Sequence, residues 1–350
     1  MLERLRIRRF RGFDDLEIED LSRINLVAGA NNAGKTTLLE AIFLLGAGGN
    51  PRLALNRHIV RTMEPSASMP RSISETLWRP LFFRLDTDGG IAISGHHSSV
   101  GEIKVRITLG RPLTTEVSRA ADDGKLMSER DGERSLKFMY TDSNAGQIEN
   151  EARETAENVT FDQKENYAPF SGTIVQPGGG NIHEDAIRLG RLRKQKRGDM
   201  LLVALRSLEP RLQGIEDNAS SGAPLIWVDV GLSELVPLAV VGAGMTHFTR
   251  IVLAATSVPG GVVLVDEIEN GLHHSVLPDV WRAIAKTAEQ FDVQVFATTH
   301  SFECIEAAHE GLGPDGFGLH RLETVEGVTR CVTYGPGAIE GAIRHNMEVR

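Results

Sequence analysis

An apolar segment, a glycine-rich loop and a helical pattern follow one another near the start of the chain, and they constrain its fold most. Residues 24–28, INLVA, predict a strand buried on both faces. The next eight residues, Gly29 to Thr36, spell G-x-x-x-x-G-K-T. Residues 36–45 are apolar on nearly every side, which is typical of a helix inside a domain. A strand, a glycine-permitted loop and a helix N-terminus in this order predict a cradle for phosphate oxygens.

The loop predicts a nucleoside triphosphate bound with Mg²⁺. The Lys35 amine is expected to reach the β- and γ-phosphates, and the Thr36 hydroxyl is expected to ligate the metal. The pattern does not distinguish adenine from guanine. The residues predicted to contact the nucleotide here are Gly29, Ala30, Asn31, Asn32, Ala33, Gly34, Lys35, Thr36 and Thr37.

Two later strands end in polar residues that suit the same chemistry. Val262–Val265 is followed by Asp266 and Glu267, and strand 293–297 is followed by Thr-Thr and then His300. In parallel sheets, ligand sites lie at the carboxyl ends of strands. We therefore expect Asp266 to hold Mg²⁺, Glu267 to act as the general base on the attacking water, and His300 to contact the γ-phosphate.

The remaining pattern predicts two kinds of sheet. Alternation at 103–109 and 136–140 predicts antiparallel strands with one exposed face. Strands and helices alternate after residue 225, which predicts a parallel sheet with helices on its faces. The predicted divisions are an N-terminal α/β part over 1–115, an insertion or irregular segment over 116–183, and a helical segment with a C-terminal α/β part over 184–350.

Two segments stand out by charge. Residues 141–166 carry seven acidic and two basic residues, which predicts an exposed insertion. Arg188–Arg197 carries six basic residues and no acidic one. This run is a candidate DNA contact, a solvated helix face, or a surface that pairs with the acidic segment. The net charge of −9 argues against a protein that simply coats nucleic acid.

These motifs together resemble the ATPase heads of the ABC type, and more narrowly the OLD-like and RecF/SMC-like AAA family ATPases. Ile7–Phe13 (IRRFRGF) is similar to that group's "IxxFRxF" start, 266–273 to its Walker B and D-loop, and 297–301 to its switch. The resemblance implies an α/β fold with a mostly parallel sheet flanked by helices and an antiparallel β-subdomain. It also implies ATP as the nucleotide.

The resemblance further implies a homodimer of heads that sandwiches two nucleotides, with a signature motif supplied in trans. Gly242 and Gly244, at the start of the helix before Walker B, are the best signature candidates, although the serine-led LSGGQ form is absent. A Q-loop glutamine is missing from its usual place, because the first glutamine is Gln147.

Output machinery of related proteins is not recognisable in the sequence. The stretch after His300 is short for a Toprim nuclease and lacks a D-x-D pair, and no heptads indicate a coiled-coil arm. The first hypothesis is thus an ATP-driven switch that controls a separate effector, in anti-phage defence or DNA metabolism. The alternative is a RecF-like clamp on DNA. No apolar stretch suits a membrane span or a signal peptide, which predicts a cytoplasmic protein without a membrane partner.

Overall fold

The computed structural model describes residues 1–55, 74–110, 134–154, 159–162, 167–218 and 222–344. The strands in these ranges are β1 Leu2–Phe10, β2 Phe13–Ile18, β3 Ile24–Gly29, β4 Ile91–His97, β5 Gly101–Leu109, β6 Ser135–Asp142, β7 Gly146–Glu154, β8 Val159–Asp162, β9 Gly172–Val175, β10 Gly214–Asn218, β11 Leu225–Asp229, β12 Val236–Pro237, β13 Val262–Val265, β14 Gln294–Thr299, β15 Gly318–Val325 and β16 Val328–Tyr334.

The α-helices are α1 Lys35–Gly46, α2 Ile182–Lys194, α3 Gly198–Leu205, α4 Leu238–Val241, α5 Ala243–Ser257, α6 Leu277–Gln290, α7 Phe302–Leu312 and α8 Pro336–Arg344. Short helical turns span Ser74–Trp78, Arg79–Leu81, Phe83–Leu85 and His274–Val276.

A mostly parallel sheet carries the phosphate loop. Its strand order is β16-β15-β3-β14-β13-β9, and only the β15–β16 pair is antiparallel. Strands β3, β13 and β14 are buried along their whole length, as expected for the largely apolar central strands of a parallel sheet. The carboxyl ends of these three neighbouring strands therefore meet at one edge, which is where the loop after β3 begins.

A second, antiparallel sheet has the order β2-β1-β4-β5-β6-β7-β8. Helix α1 packs against strands of both this sheet and the parallel sheet, and Leu38, Leu39, Ile42 and Leu45 are fully buried. This confirms the prediction of a helix with an apolar surface on nearly every side. A third sheet of three strands, β10-β11-β12, contacts helices α2 and α4.

Two predicted boundaries need correction. The acidic segment 141–166 was expected to be an exposed insertion, yet residues 146–154 and 159–162 are strands of the antiparallel sheet. Most acidic side chains of these two strands lie on the exposed face of the sheet, whereas Ile148 and Ala152 are buried on its other face. Residues 155–158 and 163–166 of this acidic segment lie outside the described residues. So do residues 116–133 of the wider insertion or irregular segment predicted over 116–183. The strand expected at 293–297 extends to Thr299, so two threonines belong to β14 itself.

Candidate nucleotide-binding site

The phosphate loop depends on two glycines that other residues could not replace. A Cβ on Gly29 would lie 2.6 Å from the Leu322 carbonyl oxygen of the adjacent strand β15. Gly34 has φ +99°, and a Cβ there would lie 2.6 Å from the Phe13 ring. The phenylalanine that ends the FRGF segment therefore packs directly under the loop, which gives that segment a structural role beside the site.

The Lys35 amine is folded back onto the loop. It donates hydrogen bonds to the carbonyl oxygens of Gly29 at 2.7 Å and Ala30 at 3.0 Å. Burial lowers the pKa of Lys35, and nearby carboxylates, of which Asp266 contributes most, oppose this shift. A phosphate that replaced the two carbonyl oxygens as the hydrogen-bond acceptor of the Lys35 amine would pair this poorly solvated cation with a full negative charge.

Side-chain hydrogen bonds connect the phosphate loop to the carboxyl ends of strands β13 and β14. The Thr36 hydroxyl donates to Asp266 Oδ2 at 2.9 Å, and the Thr298 hydroxyl donates to Asp266 Oδ1 at 2.6 Å. The Thr298 oxygen in turn accepts the Glu267 N–H at 2.9 Å. The residues expected to hold the metal and the base therefore meet at one edge of the sheet.

The Thr36–Asp266 pair fits Mg²⁺, which prefers oxygen ligands and usually keeps several waters beside one or two protein groups. The described residues contain no group of three or more His, Cys, Asp or Glu side chains that could hold a metal. Thr36 and Asp266 would thus supply the protein ligands, and the metal would neutralise charge on the phosphates.

Glu267 has a backbone conformation that is unusual for its residue type. Its φ is +48°, in the left-handed region, and its carbonyl accepts the Asn270 N–H at 2.9 Å. Within the described ranges its half-buried carboxylate makes no hydrogen bond or ion pair. A carboxylate held at the strand edge without a protein partner is suited to accept a proton from water.

His300 lies beside Glu269 rather than alone at the strand end. Its Nδ1 is 3.2 Å from Glu269 Oε1, which also accepts hydrogen bonds from the His300 N–H at 3.0 Å and the Thr299 hydroxyl at 2.8 Å. The imidazole is about half exposed, with a side-chain exposure of 49%. Because Nδ1 faces Glu269, Nε2 is the nitrogen left for a phosphate.

The two signature candidates occupy the first turn of α5. Gly242 caps the helix, and its carbonyl accepts the Thr246 N–H and hydroxyl, each at 3.1 Å. A Cβ on Gly244 would lie 2.1 Å from the carbonyl oxygen of Gly271, in the segment after Walker B. The nearest neighbours of Gly244 are therefore in the D-loop segment, and its contact with a nucleotide stays a prediction.

One turn further along α5, His247 is 4% exposed, and neither ring nitrogen has a hydrogen-bond partner among the described residues. Burial, with Arg250 nearby, lowers the pKa of His247 to about 4. The imidazole is therefore neutral at pH 7 and lies close to the Glu267 backbone.

Sequence reasoning missed two contributors to this site. The sequence patterns place Thr298 at the end of a predicted strand and Glu269 in the segment similar to a D-loop, but they predict no role in the site for either residue. A hydroxyl at a strand end is common, so its partner Asp266, 32 positions away, could not be deduced from local pattern. The signal that could have found Thr298 is the pair of threonines directly before His300.

The basic run Arg188–Arg197 spans the end of α2 and the turn into α3. Arg188 pairs with Glu184, and Arg193 pairs with Asp217, in each case with 2.7 Å or less between nitrogen and oxygen. Arg197 lies over the Phe291 ring. These contacts favour a helix face bound to its own surroundings, and the partner of Arg193 is in β10 rather than in the acidic segment 141–166.

Comparison with known proteins assigns the family. The family model described as "AAA domain, putative AbiEii toxin, Type IV TA system" matches residues 24–305, most of the chain. The chain belongs to this family. It is an ATPase, and it falls in the ABC-type, RecF/SMC-like class that the FRGF start and the Walker motifs indicated.

Two curated relatives illustrate the range of similar proteins. An "ATP/GTP phosphatase" of Helicobacter pylori is 25% identical over 335 residues, which cover 87% of each chain. The "DNA replication and repair protein RecF" of Pediococcus pentosaceus is 25% identical over 170 residues, which cover 47% of this chain and 46% of that protein.

Two solved SMC heads have a similar architecture. A SmcHead bound to the C-winged helix domain of ScpA has a TM-score of 0.50 at 12% identity and covers 98% of this chain and 99% of its own. The Smc head with an extended coiled coil, bound to the C-terminal domain of ScpA from Pyrococcus furiosus, has a TM-score of 0.52 at 10% identity, with 99% of each chain covered. At such low identity these matches establish the fold alone. No helix in the described ranges is long and apolar enough to cross a membrane.

Proposed function

We propose that this chain is a nucleotide-operated switch in which Mg-ATP closes two copies head to head and the closed dimer controls a separate effector protein. The observation that carries the proposal is the chain of contacts from Thr36 through Asp266 and Thr298 to Glu267. A single copy thereby brings together the phosphate loop, the Asp266 carboxylate and the Glu267 carboxylate, which makes no hydrogen bond or ion pair within the described ranges. Hydrolysis then reopens the dimer and resets the effector.

The surface around the signature turn supports a protein–protein contact at this place. Val240, two residues before Gly242, has 73% of its surface exposed. An apolar side chain in this position gains free energy when a partner removes it from water. A second copy whose phosphate loop faces Gly242 and Gly244 would cover Val240 only while ATP is bound.

In the closed state, the chemistry is divided among this chain's own residues. Lys35 holds the β- and γ-phosphates, Thr36 and Asp266 hold Mg²⁺, and Glu267 accepts the proton of the attacking water. His300, oriented by Glu269, contacts the γ-phosphate through Nε2. Loss of that phosphate removes the group that both copies bind, so closure is linked to the state of the nucleotide.

The dimer can be tested by sedimentation with and without Mg-ATP. Glu267→Gln keeps the size of the side chain but removes the base, so it should bind ATP, hydrolyse it slowly and remain dimeric. Lys35→Ala should stay monomeric at any ATP concentration. Val240→Asp should lose the dimer and keep ATP binding as a monomer. A Glu267→Gln protein that stays monomeric at saturating Mg-ATP contradicts the switch.

The effector can be sought by capturing tagged Glu267→Gln protein from its native cells with Mg-ATP. A stoichiometric protein that is absent from the matched Lys35→Ala capture supports control of a separate effector such as a nuclease or toxin. Nuclease-sensitive nucleic acid without a protein partner favours the RecF-like clamp instead.

A further inference from the structure

A buried histidine on α5, the helix that begins at the signature turn, makes none of the usual hydrogen bonds. His247 is 4% exposed, and neither Nδ1 nor Nε2 has a hydrogen-bond partner among the described residues. In the two other buried histidines of the described ranges, His97 and His320, at least one ring nitrogen lies within 3.3 Å of a partner. Because buried polar groups are nearly always hydrogen-bonded, the imidazole of His247 calls for a specific reason.

His247 lies between the signature turn and the expected base of the same chain. Three residues before it on α5, Gly244 packs on the carbonyl oxygen of Gly271. His247 itself lies close to the Glu267 backbone, which opposes the lowering of the His247 pKa. A carbonyl oxygen has this effect on an imidazole, whereas an N–H has the opposite effect. Helix α5 thus contacts both ends of the segment 267–271, and the imidazole lies beside the backbone that carries the base.

The Glu267 backbone has room for one more hydrogen bond. Its N–H donates to the Thr298 hydroxyl at 2.9 Å, and its carbonyl accepts the Asn270 N–H at 2.9 Å. A carbonyl oxygen has two lone pairs, and a neutral imidazole has one N–H to donate. A small shift of α5 would therefore satisfy His247 and also fix a backbone whose φ of +48° is unusual for a glutamate.

Helix α5 is anchored on one side of His247 and open on the other. Arg250 is 9% exposed, donates to Asp185 on α2 at 2.9 Å, and donates also to the carbonyl oxygen of Gly179 in the loop after β9. At the other end, a Cβ on Gly242 would meet nothing within 4 Å. The first turn therefore has room to move when a ligand contacts it, and His247 lies between this turn and the anchored one.

We propose that His247 is a positioning residue for Glu267. When the signature turn contacts the nucleotide held by a second copy, α5 shifts and the His247 N–H donates to the Glu267 carbonyl, which fixes the direction of the carboxylate. This inference deepens the proposed switch and rests on it. Because the signature turn serves the partner's nucleotide and Glu267 serves its own, hydrolysis in one site then depends on the nucleotide in the other.

The kinetic test compares three variants of the full chain. His247→Phe keeps a ring of similar size without an N–H, and it should lower kcat about tenfold, which corresponds to the loss of one hydrogen bond that orients the base. KM and the Mg-ATP dimer should stay as in the wild type. His247→Gln, which keeps a donor, should regain most of kcat.

The matched control is Thr249→Val, two residues further along α5 and therefore on the other side of the helix. The Thr249 hydroxyl is buried like the His247 ring, but it donates to the Met245 carbonyl of its own helix at 2.7 Å. Its removal should leave kcat unchanged.

A spectroscopic test does not require a His247 variant with full stability. In Glu267→Gln protein with isotope-labelled histidine, Mg-ATP should shift one ring nitrogen signal and make its N–H exchange slowly with water. That signal is assigned by its loss in the His247→Phe protein. Lys35→Ala should show neither change at any ATP concentration.

The possible failures can be told apart by sedimentation of the same samples. A dimeric His247→Phe protein with wild-type kcat overturns the role of His247 and leaves the switch standing. So does equal loss of kcat in the phenylalanine and glutamine variants, because the ring would then serve packing alone, and so does an unchanged ring signal in the closed Glu267→Gln dimer. A wild type that stays monomeric with Mg-ATP overturns the switch itself, and this inference with it.

Discussion

Thr298 Oγ1 lies 2.6 Å from Asp266 Oδ1 and donates a hydrogen bond to it from the neighbouring strand. The same oxygen accepts the Glu267 N–H, so one hydroxyl fixes both the carboxylate for the metal and the backbone that carries the base. Thr298 is thus a positioning residue, which acts on the nucleotide through its two neighbours.

We expect Thr298→Val to lower kcat for ATP hydrolysis by about 10- to 100-fold, the cost found when a group that orients a metal ligand is removed. Valine has nearly the same shape but no hydroxyl, so ATP affinity measured without Mg²⁺ should change little. Thr298→Ser should restore most of kcat. A valine variant with unchanged kcat contradicts the positioning role.

Lys35→Met should weaken ATP binding at least about 100-fold, because charge-assisted hydrogen bonds contribute about 1.5–3 kcal/mol each and the amine is expected to contact two phosphates. The free energy of unfolding should stay the same or rise, since the variant no longer buries a cation whose pKa is lowered by desolvation. Calorimetry and urea denaturation measure the two effects. Lys194→Met, the same change at an exposed position, should alter neither.

Much of the parallel sheet and its site could be predicted because the signals are local. The run INLVA before G-x-x-x-x-G-K-T, and VVLV before Asp266, show burial and a strand end within ten residues. The hydrogen bond from Thr298 to Asp266 was not predictable in this way, because it depends on which strands become neighbours.

Strand β7 was missed for a different physical reason. Its sequence, GQIENEARE, alternates as a strand should, but only Ile148 among its inward side chains is strongly apolar. Asn150 is buried because its amide donates to the Gly49 carbonyl at 3.1 Å, a partner that composition cannot reveal. Glu149 and Glu151 occupy the outer face, so high charge indicated exposure of one face rather than absence of structure.

Gly244→Ala should disturb the packing of the signature turn on the D-loop segment. Its Cβ would lie 2.1 Å from the Gly271 carbonyl oxygen, a backbone atom that cannot rotate away. We expect the free energy of unfolding to fall by about 1–3 kcal/mol, as in other overpacked sites, and ATP hydrolysis to slow. Urea denaturation and a phosphate-release assay measure the two effects.

The matched control is Gly341→Ala in helix α8, where an added Cβ meets nothing within 4 Å. It should be neutral or raise the free energy of unfolding by about 0.5–1 kcal/mol, the usual gain from alanine in a helix. Equal behaviour of the two variants contradicts a specific contact between the signature turn and Gly271.

Acid should destabilise the protein through two buried histidines. Burial lowers the pKa of His247 and of His320 to about 4, from 6.5 in the unfolded chain. Between pH 4 and pH 6.5 the unfolded chain binds more protons than the folded chain does. The free energy of unfolding therefore has its highest value above pH 6.5 and decreases as the pH falls towards 4. Each histidine accounts for a loss of roughly 3 kcal/mol over that window.

His247→Phe should make this decline shallower. Phenylalanine is similar in size and cannot titrate, and neither nitrogen of His247 has a hydrogen-bond partner among the described residues that the change would leave unpaired. His320 differs, because its ring nitrogens lie 3.0 Å from the Thr333 hydroxyl and 3.2 Å from Asn25 Oδ1, so its replacement should cost stability at every pH. Urea denaturation at pH 7.5, 6.0 and 5.0 separates the two cases: identical pH slopes for the wild type and His247→Phe would show that His247 is protonated equally in the folded and unfolded chain.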